Sequence, residues 1–540
     1  MNTASIYDSA IAGLQYAQAG MVATSQNVTG SNVAGYVRRN PDLQISTMSP
    51  SSIEAGGTAF SVEGFTRNFN ALLQGQLLSQ QSKTSFTATL TQAVATLDAT
   101  LVDPSASIAT ALGQFFNAAG SLANDPSNQA YQQALTGAAN LVGDRIRGLA
   151  DVVGNLESNA RQGLADVLNQ ANTLAPQLAD INVKIRNATV PGVSYPSGDL
   201  LDERDRITTK LQELIGGTTT INEDGTASYA INGLQLVDRQ QSNQFANANH
   251  TTPLTPDTFP WGVQLKVNSP RNREPVFTPM GSGEGVDQST GQIIPASPPP
   301  FKDGQAGAYF VLVQNFVPTL QKSLNLLAVE LVDKINSVAI GTGATSINPF
   351  FGFSSSSGPL SSRAALTSAL PAPAAANVNA VLTNPALTYA DLLDTNSSAI
   401  TPAQRKDLHA WLLSDVVNAR HFKSIATFSA SQFANLNAAT GTDASAAMNS
   451  LQDLRTTFTA PVTFITSSVA NTIATWTNNH KTNEAMSQVL SDQKNAVSGV
   501  NLDEEAANLV KYQQLYNASS KLIQTNRQMF DTLLAMLSGN

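Results

Sequence analysis

The stretch NLDEEAANLVKYQQLYNASSKLIQTNRQMFDTLLAML, Asn501 to Leu537, carries apolar residues at a spacing of seven. Leu502, Leu509, Tyr516, Ile523, Phe530 and Leu537 stand in one register, and Ala506, Gln513, Ser520, Arg527 and Leu534 follow four residues behind them. Such a three-four alternation lays a stripe along a helix and is the pattern of a coiled-coil seam, here with a polar middle. Asn501 is a capping residue, Glu504 stands where a capping box places its glutamate, and Asp503 to Glu505 put negative charge at the positive end of the helix dipole. At about 1.5 Å per residue the helix would run roughly 55 Å, which a compact domain does not cover, so it needs a partner.

The opposite end repeats the spacing. Tyr7, Leu14, Met21 and Val28 are seven apart, with Ala10, Ala17 and Thr24 on the alternate row. Two helical segments with sticky stripes therefore bracket the chain and are expected to pair. A hairpin of both ends closing the base of a globular protein is the alternative, but about ten large seam residues fall short of the entropy of ordering both ends, so the ends are expected to be mobile in the monomer and to order only among neighbouring subunits.

Between the ends the pattern changes several times. Asn40-Pro41 through Gly64 mixes Gly, Pro, Ser and short alternating runs, and reads as an extended connector with a hairpin. From Phe69 to Ile185 the runs are helical, with breaks expected at Asp103-Pro104, Asp125-Pro126 and Ala175-Pro176. From Gly216 the period falls to two: Thr218–Ile221, Thr226–Ile231 and Leu234–Val237 read as strands around the turn pairs Asp224-Gly225 and Asn232-Gly233, and Val263, Leu265 and Val267 add another. Helical spacing returns in Phe316, Leu320, Leu324, Leu327, Leu331 and Ile335, and again from Ala446 to Ser498.

The expected fold class is multi-domain, mainly α with a β outer domain. It comprises paired N- and C-terminal coiled-coil helices, a helical-bundle body, a β-rich domain and a variable outer insertion. The boundaries are 1–40 with 500–540 for the end helices, 41–215 with 304–345 and 441–499 for the body and its connector, 216–303 for the β-rich domain and 346–440 for the variable outer domain.

Composition narrows the function classes. A chain of 540 residues holds three or four domains. Charged residues make up only 13%, and the net charge of -9 argues against a phosphate-binding surface, so nucleic acid is not an expected partner. The absence of cysteine excludes disulfides, thiolate metal sites and thiol nucleophiles. No Lys or Arg precedes Arg38 and no uninterrupted apolar core follows Met1, so neither a Sec-type signal nor membrane insertion is expected, and secretion would need another route.

No catalytic constellation stands out: His-Glu-x-x-His, a phosphate-cradling loop and a Gly-x-Ser-x-Gly elbow are all missing. His250, His409, His421 and His480 are scattered, and no metal or cofactor is expected. The dense acidic block Asp199 to Asp205 reads as a solvated helix face in which Asp202 can pair with Arg206, while Leu200, Leu201, Ile207, Leu211 and Leu214 face inward. A hydrolase carried in the outer domains and using Asp391 and Asp394 is the alternative from a different class.

The segment SQNVTGSNVAGY, Ser25 to Tyr36, resembles the N-terminal signature of flagellar rod, hook and hook-associated proteins through Asn27, Val28, Asn32, Gly35 and Tyr36. Thr29, Gly30, Val33 and Ala34 stand where other residue types are commoner. Gly499 to Leu509, Tyr512-Gln513-Gln514 and Tyr516 to Ser519 look like the C-terminus of the hook-associated protein 1 family, the hook-filament junction proteins. Leu112 to Phe116, Leu122 to Pro126 and the Leu-Leu-Asp-x-Arg-Asp block at Leu200 to Asp205 resemble the same family. The resemblance implies an extracellular, non-enzymatic structural adapter that leaves the cell by flagellar type III export. It also implies hook protein and a neighbouring hook-associated junction protein as partners, self-association in a ring, and an export chaperone on the last helix. A filament- or hook-forming axial protein is the alternative within the structural class. The residues expected to carry assembly are Tyr7, Leu14, Met21, Val28, Asn32, Gly35 and Tyr36 at one end, with Leu502, Leu509, Tyr516, Ile523, Phe530 and Leu537 at the other.

Overall fold

The computed structural model describes residues 3–33, 35–46, 59–103, 107–188, 198–246, 254–255, 264–267, 276–279, 285–286, 293–294, 301–338, 349–395, 397–425 and 444–538. Helix α1 (Thr3–Gly30) leads into an antiparallel hairpin of β1 (Arg39–Ser46) and β2 (Ala59–Arg67). Three helices follow, α2 (Ala71–Val102), α3 (Ile108–Asn124) and α4 (Gln129–Ala188), then α5 (Gly198–Ile215). Asn70 and Ser107 cap α2 and α3 through their side-chain oxygens, which accept from Leu73 N and Thr110 N.

Helix α4, at 60 residues, is the spine. Its first half enters one apolar core with α2, α3, α6 (Gly304–Val311) and α7 (Val317–Glu330), and its second half enters another with α5 and a small sheet. The break expected at Ala175-Pro176 does not occur, since the helix runs through Pro176. A proline inside a helix costs about 3 kcal/mol, and burial of Ala171, Ala175 and Leu178 along the same face offsets it. Helix α2 ends at Val102 and α3 starts at Ile108, and the break at residues 125–128 does form.

The sheet is the expected meander, in the order β3 (Thr218–Ile221), β4 (Ala227–Ile231), β5 (Leu234–Asp238) and β6 (Gln241–Ser242). Asn232 and Gly233 both adopt positive φ, 47° and 84°, as a type I′ turn requires. Strand β7 (Gln244–Ala246) pairs with β8 (Gln264–Val267), and β8 with β9 (Val276–Pro279). Buried Asn182 of α4 ties the meander down: its Nδ2 donates to Ala227 O and Arg239 O at 2.8 and 2.6 Å, and its Oδ1 accepts from Ala227 N at 2.9 Å. The β-rich segment is thus docked on the spine.

The stretch 346–440, expected as a separate outer domain, has no core of its own among the described residues. Phe350, Phe351, Phe353, Leu366, Trp411 and Phe422 join Phe115, Phe116 and Phe458 in the first core. Phe115 sits 5.7 Å from the Phe350 ring and 5.6 Å from Phe351. Short Ala- and Pro-rich segments hide this role in the sequence, because single aromatics in loops carry no period. The chain then runs through α8 (Ala444–Asp453) and the 44-residue α9 (Arg455–Ser498), which packs along α2, and ends in α10 (Leu502–Ser538).

Candidate functional site: the end-helix pair and its joint

Helix α10 finds its partner in the other end of the same chain. Around Gly13, Gly20 and Asn27 of α1 lie Ser519, Tyr512 and Glu505 of α10, so both helices advance by seven in opposite directions, an antiparallel heptad register. A Cβ at Gly20 would stand 2.4 Å from the Tyr512 ring, and one at Gly13 2.6 Å from Ser519 Oγ. Tyr16 meets Tyr512 edge-on at 5.7 Å. Burial lifts the Tyr512 hydroxyl pKa to about 12.

This seam differs from the expected one. Its buried residues are Ala10, Ala17, Thr24 and Asn27 on α1 and Glu505, Tyr512, Ser519 and Asn526 on α10. The alternate row of α1 lies inside as read, whereas Tyr7 and Val28 of the principal row are exposed and Leu14 and Met21 half-buried. On α10 Leu502, Leu509 and Phe530 are exposed, at 55, 37 and 56%, and Tyr516 and Ile523 half-buried; the Leu537 side chain lies outside the described residues. Heptad spacing located the stripe, but the seam lies three residues along the row, about a sixth of a turn away. Close approach selects small residues, and the face of α1 that carries Gly13 and Gly20 meets α10.

The joint to the body begins where α1 ends. Gly30 leaves room for the Tyr36 ring, 2.5 Å from where a Cβ would be, and Gly35 takes φ +87°. Asn27 is fully used: Oδ1 accepts from Tyr36 OH at 3.0 Å and Arg39 N at 2.9 Å, while Nδ2 donates to Arg39 O at 3.0 Å and Glu505 Oε2 at 3.1 Å. Burial raises the Tyr36 hydroxyl pKa to about 12. Asn32 is exposed. Asn501 does cap α10, accepting from Asp503 N at 3.0 Å, but Glu504 pairs with Arg38 at 2.8 Å instead of reaching back.

The acidic block is solvated only in part: the Asp199 side chain is exposed and that of Glu203 partly so, whereas the Asp202 and Asp205 side chains are largely buried. Arg39 and Arg67 sit directly opposite each other in the β1–β2 register, which alone would be repulsive. Asp202 lies between them, Oδ2 3.0 Å from Arg39 Nη2 and Oδ1 2.8 Å from Arg67 Nη2. Asp199 adds 2.7 Å to Arg39, and Asp205 adds 2.7 Å to Arg67 and 2.6 Å to Arg204. Arg206, the expected partner of Asp202, pairs with Glu203 at 2.6 Å. Desolvation pushes the Asp202 carboxyl pKa upward against the pull of both guanidiniums. Arg39, Arg67, Asp202 and Glu505 were missed as site residues; the clue available was that Arg38-Arg39 are the first cations in the chain.

The catalytic alternative finds no support in these positions. Asp391 completes a capping box with the cap residue Thr388, its carboxylate accepting from Thr388 N at 2.9 Å and Oγ1 at 2.6 Å, and those bonds lower its pKa. His409, His421 and His480 lie apart, contacting Leu392 O, Asp415 O and Thr87 Oγ1, and His250 lies outside the described residues. Among the described residues no group of three potential metal ligands occurs, and no helix is long and apolar enough to cross a membrane.

Comparison with known proteins covers both halves of this site. The family model "Flagellar hook-associated protein FlgK helical domain" matches residues 94–345, and "Flagellar basal body rod FlgEFG protein C-terminal" matches residues 493–536. Flagellar hook-associated protein 1 of Salmonella typhimurium is 25% identical over 98% of this chain and 99% of its own length, and that of Escherichia coli 23% identical over the same shares. Along nearly its whole length the chain is similar to flagellar hook-associated protein 1. The family member of Bacillus subtilis aligns over 40% of this chain at 23% identity. The solved flagellar hook junction protein FlgK of Burkholderia pseudomallei is 22% identical, with a TM-score of 0.40, over 52% of this chain and 47% of that one. The first family match takes in Asp199, Asp202 and Asp205, and the second Glu505, Tyr512 and Ser519.

Proposed function

We propose that the protein is a structural component of the bacterial flagellum, the adapter that joins hook to filament, and that it assembles through α1 and α10. Full-length likeness to hook-associated protein 1 favours this role over a filament- or hook-forming axial protein. The observation that carries the assembly mode is the division of labour on the end helices. Small and polar residues fill the internal seam, while Leu502, Leu509, Phe530 and Leu534 stay outside along one helix. An apolar row of that length in water is an interface awaiting neighbours. Those neighbours are further copies in a ring, hook protein below and the next junction protein above.

Before assembly the same row needs cover, and an export chaperone on α10 supplies it during passage through the flagellar type III apparatus to the cell exterior. A pull-down with and without residues 501–540 tests the chaperone: loss of capture on truncation is expected, and equal capture refutes it. For assembly, Phe530→Asp should leave the isolated chain folded and block incorporation into flagella. Normal motility in that variant refutes the assembly mode.

A further inference from the structure

The end-helix pair meets the body without a shared apolar core. Ala10, Ala17, Ala23, Val37 and Tyr512 are buried, yet they belong to neither of the body's two cores. What crosses the joint is charge: Asp202 of α5 reaches Arg39 and Arg67 of the hairpin, and Arg38 reaches Glu504 and Glu505 of α10.

Two of these contacts, Arg39 to Asp202 and Arg38 to Glu504, are aligned hydrogen bonds, and the other two are close but badly aligned. Arg38 Nε lies 2.8 Å from Glu505 Oε1, and Arg67 Nη2 2.8 Å from Asp202 Oδ1, without hydrogen-bond geometry in either case. Among the described residues, fifteen buried side-chain nitrogen or oxygen atoms lack a hydrogen-bond partner. Five belong to the charged residues of this joint: the Nε atoms of Arg38, Arg39 and Arg67, Asp202 Oδ1 and Glu505 Oε1. Two more, Gln74 Oε1 and Gln81 Oε1, belong to residues lining a crevice of about 280 Å³ beneath it, roofed by Gly35 and Val37 and walled by α2, α5 and α9. Native interiors satisfy nearly all such atoms, so this cluster makes the joint a weakly satisfied polar region among the described residues. The glycine at residue 35, with φ +87°, lies in the chain that would turn.

We propose that the Arg39–Asp202–Arg67 contact is a releasable latch that fixes the angle between the end-helix pair and the body, and that the crevice beneath it is the space the joint moves into on release. Removing the carboxylate charge from Asp202 takes away the one carboxylate that Arg39 and Arg67 share and leaves each guanidinium with a single partner on α5, Asp199 or Asp205, while the two face each other across the hairpin, which weakens the hold of α5 on the hairpin. The latch is a property of the isolated chain and does not depend on what that chain assembles with.

The chain has no cysteine, so two labels can be placed without background. Gln76→Cys on α2 and Gln524→Cys on α10, both exposed, carry nitroxides, and the distance between them is read by pulsed dipolar spectroscopy. The parent should give one narrow distance. Asp202→Asn should add a second, shifting the ratio of the two states by roughly tenfold or more. An unchanged single distance in Asp202→Asn, with helicity retained, overturns the latch. Should that variant lose helicity, Arg67→Gln, which releases one clamp only, is read in its place, and an unchanged distance there overturns the latch equally.

Discussion

The body and the end-helix pair are both made of long helices, and they are held together by different physics. In the body, α4 threads two cores in which Phe115, Phe116, Trp411 and Phe422 are essentially inaccessible to solvent. In the end pair the seam is Ala, Gly, Thr, Asn, Ser and Tyr, and the large aliphatic residues of α10 point away from it. The body buries most of its large apolar groups, whereas the end pair leaves Leu502, Leu509, Phe530 and Leu534 of α10 exposed. On the proposed assembly mode, the same amino-acid class serves stability in one region and assembly in the other, and burial in the isolated chain separates the two.

Four experiments break or sharpen that contrast. Phe115→Ala should cost about 3–5 kcal/mol in a denaturant titration of the body, because the ring touches Phe116, Phe350 and Phe351 and its loss leaves a cavity. A loss below about 1 kcal/mol would mean that residues 350–353 are not part of that core. Gly20→Leu forces a side chain into the Tyr512 ring and should destabilise the end pair by about 1–3 kcal/mol. Amide exchange should rise in α1 and α10 and stay unchanged in α4; a rise in α4 as well would remove the separation.

His409 provides a titration confined to the body. Burial, with Lys322 and Arg405 nearby, depresses its pKa from 6.5 to about 4. A base depressed on folding contributes its full stability above pH 6.5 and loses it as pH falls toward 4, on the order of 2 kcal/mol after allowance for solvent screening. His409→Gln should flatten that part of the stability curve, and an identical slope in parent and variant assigns the acid sensitivity elsewhere. The smallest effect on folding is expected for Phe530→Asp, within about 0.5 kcal/mol in thermal melts of the isolated chain. A loss of several times that would mean that the outward row is part of the chain's own core.

Much of this architecture was legible from periodicity. The paired ends, the β meander with its Asn232-Gly233 turn and the helices around Leu320 and Leu324 all follow from spacing and turn chemistry. Pro176 was misread because burial of its neighbours outweighs a local helix penalty. Residues 350–422 were set apart because their aromatics reach the core from loops and short helices. The acidic block was taken as solvated because its partners, Arg39 and Arg67, lie more than a hundred residues earlier.

By itself, the order of residues determined that both extremities are helical and striped, and which family the chain resembles, since period and motif are properties of neighbours along the backbone. Which stripe faces inward was decided only in three dimensions. Two helices approach as closely as their smallest side chains permit, so glycine and alanine took the seam and leucine and phenylalanine were left exposed. The charged joint likewise exists only once distant arginines and aspartates share one place, where the cost of removing each charge from water is met by its opposite.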